Sequence, residues 1–142
     1  MRLPILVRTI LIAAVFVAGF WAGHQRGSAS MQGRVFELRT YTANEGKLQD
    51  LLARFRNHTV KLFEKHGMKN VGYWIPQEAP LSQNTLIYVL SHESRDAAQK
   101  SWLAFRGDGD WKKAQAASEV NGRLVQKVDA LYMNAADFSP MK

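Results

Sequence analysis

The chain predicts an α+β fold: a four-stranded antiparallel sheet with its helices on one face, in the order β-α-β-β-α-β. Three observations point there. The stretch 36-FELRTYT-42 alternates apolar and polar residues, as a half-buried strand does. The residues Leu48, Leu51, Leu52, Phe55, Leu62 and Phe63 recur at three- and four-residue spacing, the stripe of an amphipathic helix. Two strand-like runs then follow with no helix between them, before a second helical stretch and a last strand. This is the split βαβ, ferredoxin-like pattern, in which helices segregate to one side of the sheet.

Each element has a local reason. Residues 34–42 read as the first strand. Asn44 is a helix cap and Glu45 suits the positive helix end, so the first helix is predicted over 45–66 and stops at Gly67. Residues 69–76 form a strand ended by Pro76, and the loop 76–83 has no periodicity. The apolar, β-branched run 84–92 is a third strand. Ser94 with Asp96 opens another helix bearing Trp102 and Phe105. Gly107-Asp108-Gly109 interrupts it, and Asp110 caps a further helix with Trp111, Ala114 and Ala117. Residues 125–135 make the last strand.

At 142 residues there is room for one core. The absence of cysteine excludes disulfides, thiolate metal sites and a cysteine nucleophile. The net charge of +7 is unevenly placed. Arg2, Arg8 and Arg26 lie in the first thirty residues, which hold no acid. Beyond them the signs are interspersed, with no basic cluster among exposed aromatics, which argues against nucleic-acid binding. A basic start, the uncharged run from Thr9 to Gly23 and the small residues at 27–30 describe an export signal over residues 1–30. If it is not cleaved, residues 3–23 anchor the chain in the membrane. Either way the domain at 31–142 is expected outside the cytoplasm, periplasmic or held at the cytoplasmic membrane.

The helices leave one sheet face to be explained. Phe36 and Leu38 look suited to lie under the helices. Glu37, Arg39 and Tyr41 then point from the open face, where Trp74 and Tyr88 join them. Several large aromatics with a charge pair suit an interface better than bare solvent. Two such sheets pressed together make a barrel across a homodimer.

These residues also carry a family resemblance. The order F-E-L-R-T-Y-T at 36–42, G-K-L at 46–48, K-H-G at 65–67, V-G-Y-W at 71–74, N-T-L-I-Y-V-L-S-H at 84–92, S-W-x-x-F-R at 101–106 and D-F-S-P at 137–140 resembles the NIPSNAP family. Gly109 departs from the family's usual proline at that helix start. The resemblance implies a dimeric α/β barrel of ferredoxin-like subunits. It implies no established reaction and no catalytic residue set.

Candidate chemistry centres on two places. On the first strand, Arg39 can hold an anion bidentately while Glu37 or Tyr41 moves a proton, or Glu37 and Arg39 simply pair with each other. On the first helix, His58 and His66 lie near the apolar stripe, about 12 Å apart along the axis, too far for one metal. No metal or other cofactor is therefore predicted. Related dimeric α/β barrels include cofactor-free monooxygenases and haem-binding enzymes, so a helix histidine ligating haem is the alternative. Asp108-Gly109-Asp110 lacks the later ligands of a calcium loop and reads as a helix break. Two functional classes fit: a dimeric module binding a small ligand or partner, and a monooxygenase- or isomerase-like enzyme.

Overall fold

The computed structural model describes residues 33–142; the expected export signal at 1–30 lies outside them. Among the described residues, no helix is long and apolar enough to cross a membrane. The elements run β1 (Val35–Ala43), α1 (Leu48–Arg54), a π-helical turn (Phe55–Thr59), α2 (Val60–Lys65), β2 (Lys69–Trp74), β3 (Thr85–His92), α3 (Arg95–Gly107), α4 (Gly109–Ser118) and β4 (Val125–Asn134). The sheet order is β2-β3-β1-β4, antiparallel throughout. This is the predicted α+β, ferredoxin-like arrangement.

The helix ends follow side-chain chemistry. Ser94 caps α3 by accepting a hydrogen bond from the Ala97 amide. Gly67, at φ +76°, ends α2 as the sequence predicts. Two ends differ from expectation. The first helix starts at Leu48, because Glu45-Gly46 is spent on a turn and the Asn44 amide side chain donates instead to the Arg123 carbonyl. Asp108, not Asp110, caps α4, its carboxylate accepting from the Asp110 and Trp111 amides. The first helix is also not uniform. Its π turn widens the backbone so that the sequence neighbours Arg54 and Phe55 are both buried.

The core lies between helices and sheet. Leu51, Phe55, Phe63, Trp102 and Phe105 pack onto Leu86, Tyr88 and Leu90. Aromatic edges and faces interlock there: Phe63 meets Trp102 at 5.3 Å and Phe105 at 5.0 Å between ring centres.

The sheet faces are opposite to the sequence expectation. Tyr41 packs against Phe55 and Tyr88, and Glu37 bonds to Trp102 of α3. Glu37, Arg39, Tyr41 and Tyr88 therefore face the helices. Phe36 and Leu38 face the open side, together with Ile87, Val89, Leu131, Met133 and Trp74. Trp74 is thus separated from the other four candidates. Its ring lies over Gly72, where an added Cβ would come within 2.6 Å of it. The open face is strongly apolar: Trp74 is 50% exposed, Leu131 58% and Phe138 of the tail 88%. Both faces of β1 thus carry large side chains, and alternation alone does not say which lies inward.

Gly67→Ala tests the helix stop. A Cβ there meets only Ser101 Oγ at an ordinary 3.7 Å, so the cost is backbone strain alone. Thermal or chemical unfolding is expected to show a loss of about 1–2 kcal/mol.

Candidate functional site

The helix-facing side of β1 holds a polar cluster inside an aromatic core. The Glu37 side chain is 1% exposed. Its Oε2 accepts from Trp102 Nε1–H at 2.7 Å and from His92 Nε2 at 2.9 Å, and its Oε1 accepts from Arg39 Nη1 at 3.1 Å. These donors come from α3, the end of β3 and β1 itself. Burial alone would raise the Glu37 pKa. The hydrogen bonds from His92 and Trp102, with the Arg39 charge, outweigh it and hold the carboxyl below its ordinary value. Glu37 is therefore ionised, and the proton shared with His92 sits on Nε2.

Arg39 is held from three sides. It pairs with Glu37, its guanidinium carbon lies 4.1 Å from the Trp102 ring centre, and Tyr41 stands 5.6 Å away. Its cross-strand neighbours are Tyr88 on β3 and Ala130 on β4. Burial disfavours its charge, but Tyr41, Tyr88 and Glu37 together raise its pKa. The side chain keeps 16% exposure. On the neighbouring β4, the helix-facing residues Val128 and Ala130 are exposed. Tyr132 stands at one end of this flank, with Arg95 stacked 3.3 Å above its ring. Burial, then the Glu37 charge, raises the Tyr132 phenol.

Three polar atoms of the cluster lack a partner among the described residues: Arg39 Nε, Tyr88 Oη and His92 Nδ1. Each buried, unsatisfied group costs about 1–3 kcal/mol. Burial also pushes the Tyr88 phenol well up. Arg39 is the member of the Glu37–Arg39–His92 group that keeps both a charge and some exposure.

The other sequence candidates are elsewhere. His66 Nε2 lies 2.7 Å from Asp108 Oδ2, which Lys65 also reaches at 2.8 Å. Hydrogen bonds from Lys65 and His66 hold the Asp108 carboxyl far below its usual range. This ties the end of α2 to the start of α4. His58 is exposed on the π turn, in a polar cleft with Asp50 and Asn57. Sequence reasoning missed His92 and the role of Trp102. His92 shares strand parity with Tyr88, a signal that places it beside Glu37 once the sheet register is known.

The energetics give a direct expectation. Glu37→Ala strips a partner from Arg39, His92 and Trp102 together and is expected to cost about 3–5 kcal/mol. Arg39→Ala should cost less, because two donors still hold the carboxylate. Adding Arg39→Ala to Glu37→Ala should not rescue it, since His92 and Trp102 stay orphaned. Glu37 stabilises the fold fully above its unfolded value near 4.5, and that contribution is lost as pH falls through the lower folded value. Denaturation from pH 7 to 3 should show a shallower acid loss for Glu37→Gln than for wild type.

Comparison with known proteins places this geometry. The NIPSNAP family model matches residues 36–140. Among solved structures, a NIPSNAP family protein of unknown function from Agrobacterium tumefaciens str. C58 is 20% identical, with TM-score 0.68 over 79% of this chain and 96% of that one. A second NIPSNAP family protein from the same strain is 22% identical, with TM-score 0.67 over 78% of this chain and 100% of that one. SnoaB, a cofactor-independent oxygenase from Streptomyces nogalater, shares the fold at 13% identity and TM-score 0.51, over 75% of this chain and 97% of that one. The comparison with curated proteins found no match. The chain belongs to the NIPSNAP family.

Proposed function

We propose that this protein is an exported, homodimeric binding module for a small anionic ligand, which reaches Arg39 from the bare flank of β4. The observation that carries the reading is the Glu37 hub. Three donors fix a buried carboxylate, which holds Arg39 in one geometry while its outer edge stays open. An ion pair this buried gains little stability over an apolar core. Its value is a preorganised guanidinium, the usual device for recognising carboxylate or phosphate. The homodimer is supported by the open sheet face, where Leu38, Val89, Leu131 and Trp74 form an apolar surface.

An enzyme is the second reading, and His92 is what favours it. With Nε2 engaged by Glu37, its Nδ1 is left without a partner among the described residues, the arrangement of an oriented general base. The fold shared with the oxygenase SnoaB is compatible with this and does not carry it.

Small molecules released from purified native protein and identified by mass spectrometry test the binding reading. An acidic compound is expected to be retained by wild type and lost from Arg39→Gln; retention by both variants alike contradicts it. For the assembly, Leu131→Asp should convert a sedimenting dimer to monomer at micromolar concentration. A wild type that is already monomeric there removes the dimer. Export is tested by fusing residues 1–35 to a reporter active only outside the cytoplasm, and a silent, soluble fusion counts against it.

A further inference from the structure

A cavity of about 330 Å³ lies between α4 and the start of β4, on the helix side of the sheet. Tyr41 and Trp111 wall it, and Arg54, Glu119, Arg123 and Lys127 line it. Arg54 is the unusual member. Its side chain is 3% exposed, paired with Glu119 at 3.0 Å, and its guanidinium lies 5.1 Å from the Trp111 ring centre. Its Nε has no partner among the described residues. The π turn that follows Arg54 buries it beside Phe55. Two arginines thus meet one carboxylate in the lining, while the Lys127 ammonium belongs to the other sheet face. Lys127 is drawn to Asp129 at 2.9 Å, while Arg123 forms no ion pair among the described residues.

Tyr41 links this cavity to the Arg39 cluster. It lines the cavity, and its ring lies 5.6 Å from the Arg39 guanidinium carbon. We infer that the cavity is a second anion subsite, which takes the carboxylate of a flat, conjugated acid lying against Trp111 and Tyr41. Arg123 supplies the charge a ligand meets first. The buried Arg54–Glu119 pair keeps the pocket from collapsing and leaves it net positive. Rings on both walls favour a planar body over a flexible aliphatic one. Together with Arg39, the subsite selects an elongated ligand that is polar at both ends. This inference rests on the proposed binding function and adds where the second end goes.

The test uses the purified full-length chain with cinnamate and its neutral isostere cinnamyl alcohol, read by saturation-transfer NMR and by tryptophan fluorescence. Wild type should bind cinnamate at least about tenfold tighter than the alcohol, the scale of one charge-assisted hydrogen bond. Raised salt should narrow that gap. Arg123→Glu, at an exposed position, should abolish the preference without changing the melting temperature. Gln115→Trp, which fills the cavity, should weaken both probes. Equal binding of acid and alcohol, no binding of cinnamate, or unchanged binding by both variants overturns the subsite. Arg39→Gln separates the two ideas. Loss of the natural ligand in Arg39→Gln but not in Arg123→Glu or Gln115→Trp keeps the binding function and rejects the subsite. Indifference to all three changes rejects both.

Discussion

One buried carboxylate organises the helix side of this sheet. Glu37 sits where an apolar core residue would be less costly, since moving a charge out of water must be offset by partners. It has three, and each comes from a different part of the fold. Trp102 binds it from α3, His92 from the end of β3, and Arg39 from its own strand. The position of α3 over the sheet, the rotamer of Arg39 and the tautomer of His92 all follow from satisfying that one group.

The rest of the architecture frames the hub. The aromatic core around Phe55, Phe63 and Tyr88 closes one side of it. The Lys65–His66–Asp108 knot and the Arg54–Glu119 pair fix α4 against the first helix. None of these covers β4 beyond its start at Val125, so Val128 and Ala130 stay exposed on the helix side. The same topology leaves the opposite face apolar, so the two sides of the sheet differ in chemistry: one is apolar, the other holds the polar cluster.

Much of this was legible in the sequence. The 3.6-residue stripe from Leu48 to Phe63, Gly67 as a stop and Ser94 as a cap gave the elements and hence the β-α-β-β-α-β order along the chain. The importance of Glu37, Arg39 and Tyr41 was also visible, because three such residues in alternation are unusual for a strand. Their direction was not. Phe36 and Leu38 are the more apolar pair, and hydrophobicity alone turns them inward. The sheet is instead covered by apolar material on one side and bears apolar side chains on the other, so the usual contrast between faces fails. A strand's own alternation carries no information about which side the helices take. The partners decide it: Trp102 and His92 are 65 and 55 residues from Glu37, and neither looks like a carboxylate ligand until the register β1–β3 is fixed. The π turn was equally hidden, since Arg54 and Phe55 read as one polar and one apolar position of a regular helix.

The Trp102 indole proton reports most directly on the hub. If it donates to an ionised, buried Glu37, its NMR resonance exchanges with water as slowly as the core amides. It then holds its position as pH falls through the ordinary carboxylate range, and it moves only at lower pH. Glu37→Gln shifts it at neutral pH. A Trp102 indole that exchanges as fast as that of exposed Trp74, or that titrates with an ordinary carboxylate pKa, would contradict the account.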